Sequence, residues 1–313
     1  MTVRLLTWDG KSYELPVALS WRILRTGSVP CDEIEVCCVY NGELTEVLPQ
    51  ADRFAAYEGA EAVLLGLVDD YEVSVTDKGM TLTISGRGMM ARLLDNEVEA
   101  AVYQKATLPE ILRCHALPWG IGWQGTADGS KGGAFQIQSG ESQWSAISGF
   151  MESVFGFAPY MTALGELVLS PLAGSGEERV IDGESPILSC HLREKRYGII
   201  SEMLVKDKAS GREERVVNEE FAARGGLRRQ VLYMPRRSGA DAMRYTGGYQ
   251  IRKSEQGAKQ VELKLAGAFL AQPGDIVRLT YAPLQLSGRY DVVEAESRGS
   301  AAGTTTKLVL EER

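Results

Sequence analysis

The chain has 313 residues, of which 44% are hydrophobic and 24% are charged. This is ordinary globular composition, and at about 100 to 200 residues per domain it predicts two or three domains. No apolar run approaches the ~20 residues that a membrane span needs, and polar groups interrupt the first residues. We therefore expect neither a membrane partner nor a recognisable export signal.

The net charge of −8 is unevenly distributed along the chain. Residues 1–190 hold 12 Lys and Arg against 26 Asp and Glu, whereas residues 191–253 hold 15 against 8. An acidic body and a basic segment favour complementary contact between subunits, and a nucleic-acid patch is the alternative. Because the basic segment has few interleaved aromatic residues and no nucleic-acid motif, we do not expect a nucleic-acid partner.

Five cysteines occur at positions that form no paired C-x-x-C framework: Cys31, Cys37, Cys38, Cys114 and Cys190. An odd count in a chain of this length predicts reduced thiols in the cytosol. Cysteine is among the most buried residue types, so most of the five are expected in the core.

Residues 1–95 are predicted to be β-structure. Asp9-Gly10 favours a tight hairpin turn, and side chains alternate from Asp32 to Tyr40 as a half-buried strand requires. Short strands at close spacing are typical of a barrel or a sandwich. Further strands are predicted at residues 53–58, 62–68, 71–76 and 80–85.

Residues 96–175 are predicted to form a small α/β domain, preceded by a short helix over residues 87–94. Thr107 and Glu110 form a capping box for a helix that ends near Ala116. A second helix begins near Ser142 and ends at Gly156. A hairpin with strands at residues 160–162 and 167–169 follows.

Residues 176–313 are predicted to form a second β-rich domain with a partly helical segment near 218–250. A Gly- and Ser-containing linker at residues 173–178 precedes it. Strands are expected at residues 179–181, 187–192, 199–205, 261–265, 276–281, 288–294 and 304–311.

Two dipeptides, Cys114-His115 and Cys190-His191, contain both histidines of the chain. Adjacent residues on a strand point to opposite faces, and the usual two-to-four-residue ligand spacing is absent, so no zinc site is expected. Cys114 falls in a predicted helix whose apolar stripe it can join, which favours a core position over a nucleophile. We assign no catalytic residue, no metal and no cofactor.

Two further motifs are weaker. Gly86-Arg87-Gly88 resembles part of a dinucleotide-binding loop but lacks the third glycine and follows an antiparallel strand pattern. Trp119 and Trp123 flank glycines in a loop and leave a sugar-stacking platform open as an alternative.

The helix and hairpin of the α/β region, from Glu141 through Phe155-Gly156-Phe157 to residues 165–169, resemble the small inserted domain of phage-tail baseplate hub proteins. That family includes the hubs of contractile phages, defective prophages and tailocins. Three further parts resemble the family in the same order along the chain: residues 82–94, residues 197–205, and residues 273–279 with 288–293.

The resemblance implies an α+β, mainly β fold: two β-barrel-like tube domains, 1–95 and 176–313, that superpose on each other, with an inserted α/β domain at 96–175. It implies a non-enzymatic hub of a contractile particle, assembled in the host cytoplasm and then held in the virion or tailocin baseplate. A homotrimer would join the six-fold tail tube protein to the three-fold central spike protein, among other baseplate proteins.

Three alternatives stay open: a tail-associated cell-wall hydrolase, a host-glycan binding module that uses Trp119 and Trp123, and the hub of a non-contractile tail. Within the hub reading, acidic surface from 1–190 is expected to meet basic surface from 191–253 of a neighbour. Reversal of Arg228 and Arg229 to glutamate would then slow ring formation, provided that both lie on that face.

Overall fold

The computed structural model describes residues 1–29, 31–234 and 239–313, and strands dominate it. The helices are α1 Ala91–Leu94, α2 Leu108–His115, α3 Gln143–Phe155, α4 Glu219–Ala223 and α5 Ala240–Glu255, with 3₁₀ helices at Leu48–Gln50, Leu117–Trp119 and Ala282–Leu284. The strands are β1 Thr2–Thr7, β2 Ser12–Glu14, β3 Ala18–Arg25, β4 Glu33–Val39, β5 Ala51–Glu58, β6 Glu61–Thr76, β7 Gly79–Gly88, β8 Ala101–Tyr103, β9 Trp123–Gln124, β10 Phe135–Ile137, β11 Tyr160–Met161, β12 Leu167–Val168, β13 Glu178–Ile181, β14 Ile187–Glu194, β15 Glu202–Asp207, β16 Glu213–Val217, β17 Arg229–Met234, β18 Lys259–Ala266, β19 Ile276–Tyr281, β20 Leu286–Ser300 and β21 Gly303–Glu312.

One sheet of 13 strands runs through both β-rich regions. Its order is β14-β18-β21-β20-β3-β4-β7-β6-β5-β1-β2, and β19 joins it beside β20 with β13 on its far side. The expected class, mainly β with an α/β insert, is confirmed. Within the described ranges the sheet stays open, so neither region closes into a barrel.

The first β region packs around Phe54, which is fully buried with Leu5 and Leu82. Gly66 and Gly86 face this ring, and a Cβ added at either would lie 2.7 Å or less from a Phe54 ring carbon. The Gly86-Arg87-Gly88 motif is thus the end of β7 rather than a nucleotide loop. The helix expected over residues 87–94 is correspondingly shorter and begins only at Ala91.

The α/β insert contains the expected helices and hairpin. The Thr107 hydroxyl accepts a hydrogen bond from the Glu110 amide, and Ser142 caps α3 in the same way. Gly156 ends α3 in the left-handed conformation at φ 81°. The hydrophobic core of the insert surrounds Phe150, which is fully buried.

Among the described residues between Ile200 and Ile251, a separate hydrophobic cluster forms around Met203, Val205 and Met243. Its sheet has the order β16-β15-β17, and α5 packs on β15. The strand expected over residues 199–205 thus belongs to this unit and not to the large sheet. The unit is inserted between β14 and β18.

The two β regions share one strand topology without a sequence repeat. Each contains a long strand, β6 or β20, whose first part pairs with a preceding short strand, β5 or β19. The rest of each long strand pairs with the next strand, β7 or β21. Both hairpins shift register at the same distance from their turns, between Val68 and Asp70 and between Val292 and Glu294.

The correspondence extends to the next two strands of each region. Glu33 of β4 lies opposite Arg87, and Gln260 of β18 lies opposite Glu311 at the equivalent position. β3 pairs with β4, and β14 pairs with β18, each with a register shift near its first residue. The strands β3 to β7 therefore correspond in order to β14, β18, β19, β20 and β21.

Candidate assembly surfaces

The last residues of β20 join the two β regions by pairing antiparallel with β3, from Ala295 opposite Arg25 to Ser300 opposite Ser20. Glu296 is buried in this junction and accepts hydrogen bonds from Arg22 Nε and Arg298 Nε, each at 2.6 Å. Burial alone would raise the pKa of Glu296, but these hydrogen bonds lower its pKa below the ordinary value.

The junction is also closely packed. Ile23 and Leu24 of β3 are each only 7% exposed. Gly299 lies opposite Trp21, and a Cβ at position 299 would lie 2.2 Å from the indole nitrogen. The small residue on β20 therefore makes room for the large residue on β3.

Among the described residues, the distal half of β6 (residues 70–76) has a neighbouring strand on one side only, which is β7. Tyr71, Val73 and Val75 share one face of the sheet and are 41%, 41% and 74% exposed. They lie opposite Ile84, Leu82 and Met80, so they continue an apolar face to the sheet edge. An apolar edge strand of this kind is prone to pair with another strand.

β14 is the first strand in the order of the large sheet, and within the described residues it pairs only with β18. Leu188 and Leu192 are 57% and 45% exposed. Cys190 is half-buried, and burial raises the pKa of its thiol. The sequence predicted strands at both edges but carried no signal that either would lack a second neighbour.

The basic segment neutralises much of its own charge. Glu202 accepts hydrogen bonds from Arg215 and Arg229, both at 2.6 Å, and these bonds lower the pKa of Glu202. Arg228 lies over the Tyr197 ring at 5.6 Å. Arg228 and Arg229 thus have partners within the chain, and Arg228 lines one surface pocket with Arg196 and Arg224.

Cys114 and His115 both interact with Tyr103 but differ in burial. His115 is buried, with Nδ1 2.8 Å from Gln143 Oε1 and Nε2 3.0 Å from the Tyr103 hydroxyl. Cys114 is exposed, so the expectation of a core position was wrong. The apolar stripe of α2 runs through Leu108 and His115, and Cys114 lies about 100° from His115 around the helix.

The remaining thiols and the tryptophan pair are partly or fully buried. Cys31 and Cys38 are buried, Cys37 and Cys190 are half-buried, and burial raises the pKa of Cys31 and Cys38 to about 11. Trp119 and Trp123 are half-buried against the core of the insert.

His, Cys, Asp and Glu side chains do not come together in threes or more at any point that could hold a metal ion, among the residues described. In the same ranges, every helix is too short or too polar to cross a membrane.

No protein-family model and no curated protein matches the sequence. Solved structures match it over nearly its whole length. The 43 kDa tail protein of prophage MuSo2 from Shewanella oneidensis is 17% identical, with a TM-score of 0.79 over 99% of this chain and 98% of that chain. The tail protein from Neisseria meningitidis is 16% identical, with a TM-score of 0.76 over 99% and 96%. A prophage tail protein from Listeria monocytogenes is 12% identical, with a TM-score of 0.64 over 100% and 94%. The chain has the fold of these tail proteins from end to end.

Proposed function

We propose that the chain is a structural hub of a phage-tail baseplate, in which three copies form a ring between the six-fold tail tube and the three-fold central spike. The observation that carries the proposal is the duplicated β unit, joined within one chain through β3 and β20. Three chains then offer six similar units to a six-fold partner while keeping three-fold symmetry toward the other.

The fold shared with tail proteins along the whole chain supports this proposal. We assign the chain to a contractile particle, with the tube, the spike and other baseplate proteins as partners. It would assemble in the host cytoplasm and remain in the virion or tailocin baseplate. We assign it no catalytic activity, and both ring nitrogens of His115 already have hydrogen-bond partners.

Light scattering on the purified chain, alone and mixed with its tube and spike proteins, tests the proposal. We expect the mass of three copies, either alone or in complex with a partner. A single-copy mass in every mixture would contradict the hub. Release of peptidoglycan fragments by the pure chain would contradict the non-enzymatic role.

A further inference from the structure

Each chain contains one joint between its two β regions, which is the pairing of β20 with β3. It also contains two strand edges that could form a second joint of the same kind. In the second β region, residues 295–300 of β20 pair with β21 on one side and with β3 on the other, outer side. The equivalent segment of the first region, residues 70–76 of β6, has no outer neighbour among the described residues, and neither has β14, the equivalent of β3. The two unpaired edges are therefore the counterparts of two strands that pair within the chain.

These two edges do not pair with each other among the described residues of the chain. Seven strand-to-strand spacings separate β14 from β6 along the sheet, which at about 4.8 Å each is roughly 34 Å. A second copy of the chain carries both edges and can supply the missing neighbour of each. Exposed apolar side chains on both edges favour such an occupant over solvent.

We propose that residues 71–76 of one copy pair antiparallel with residues 189–194 of a second copy, in the register that β20 and β3 adopt within the chain. This pairing rests on the proposed function, because it forms the joint between neighbouring copies in the ring. It would make every joint of the ring a continuation of the same sheet.

The transferred register brings complementary side chains together. Glu72 lies opposite Arg193, and Val73 lies opposite Leu192. Neither Glu72 nor Arg193 forms an ion pair within the described ranges, although Ser74 donates a hydrogen bond to Glu72. Directly opposed charges and apolar pairs are the contacts that stabilise antiparallel strands.

The sizes of the opposed side chains can also be compared between the two joints. Within the chain, Gly299 lies opposite Trp21, so a minimal residue faces a large one. At the equivalent place between copies, Val75 lies opposite Cys190, and two residues of moderate size face each other.

Crosslinking through the native Cys190 tests the register. The variant Val75→Cys is made in a Cys114→Ser background, which removes the exposed native thiol. Mild oxidation is carried out near pH 9, because burial raises the pKa of Cys190. We expect reducible covalent multimers, since opposed strand residues lie within reach of a disulfide. Adding Cys190→Ser should abolish them.

Ser74→Cys in the same background is the matched control, because its side chain points to the other face of the sheet. If the particles contain three copies but Val75→Cys crosslinks no better than Ser74→Cys, the proposed strand pairing is wrong. The hub proposal would still stand. A single-copy mass in every mixture would instead overturn the hub itself.

Charge reversal supplies a second readout that needs no thiol. Glu72→Arg and Arg193→Glu should each lower the association constant of the ring several-fold, and the double variant should recover most of that loss. Both residues are exposed, so the variants should fold as the parent does. Additive losses in the double variant would contradict the proposed register.

Discussion

At the scale of single residues, His115 is a structural side chain that holds three parts of the insert together. Gln143 Nε2 donates to the Glu97 carbonyl, which leaves Gln143 Oε1 to accept from His115 Nδ1. In the neutral ring Nε2 then accepts from the Tyr103 hydroxyl. Burial raises the pKa of Tyr103, which keeps this hydroxyl protonated as a donor.

His115→Ala should lower the free energy of unfolding by about 2 kcal/mol or more, because it leaves buried Gln143 and Tyr103 groups without a partner. Cys114→Ala, one residue earlier but exposed, should change it by less than about 0.5 kcal/mol. Urea denaturation of the two variants and the parent measures the difference. Equal losses for the two would contradict the assigned role of His115.

At the scale of elements, the β3–β20 junction depends on one buried carboxylate. The pKa of Glu296 lies below its ordinary value of 4.5, since Arg298 and Arg22 outweigh the effect of burial. A lowered pKa contributes stability that is fully present above about pH 4.5 and is lost as pH falls through the folded-state pKa.

Glu296→Gln should therefore destabilise the protein by about 2 kcal/mol at neutral pH, and the difference from the parent should shrink below pH 4.5. Urea denaturation between pH 7 and about pH 3.5 measures this dependence. The control is Glu99→Gln, an exposed carboxylate without an ion pair in the described ranges. A constant difference across the pH series would show that the charge of Glu296 contributes nothing to the junction.

The sequence predicted most elements because their patterns are local. Alternating side chains predicted β4, and capping residues predicted the start of α2 and the end of α3. Two predicted strands, at residues 62–68 and 71–76, are one strand, β6, because the acidic residues between them continue the ladder to β7 across a bulge. The independent cluster around Met203 was not predicted, since periodicity does not tell which sheet a strand joins.

At the scale of the whole molecule, pairing between distant strands lay beyond the sequence. Arg22 and Glu296 are 274 positions apart, and nothing in either neighbourhood indicates that they form an ion pair. The candidate edges depend on the same long-range order, because β6 and β14 are edges only once every other strand has found its neighbour. The assembly surface thus emerges from topology rather than from a motif.

Ring formation should slow as salt rises, because opposed charges such as Glu72 and Arg193 steer the encounter of two copies. The screening length falls from about 10 Å at 0.1 M to about 3 Å at 1 M. Assembled rings should resist salt better, since the apolar pair of Val73 and Leu192 is buried in the joint. Light scattering followed over time across a salt series measures both effects.

The control for the salt series is the double variant in which Arg228 and Arg229 are both changed to glutamate. Because Arg229 pairs with Glu202 and Arg228 lies on Tyr197, the double reversal should destabilise the inserted unit rather than mimic high salt. Assembly rates that do not change with salt would show that the uneven charge of the chain has another role.

Because β3 and β20 belong to one chain, their joint closes at an effective concentration set by the connecting polypeptide and not by the number of molecules in solution. Dilution leaves this joint closed, whereas a joint between chains opens as the protein concentration falls. A six-fold surface made from three such chains immobilises three bodies instead of six, and so loses less translational and rotational freedom.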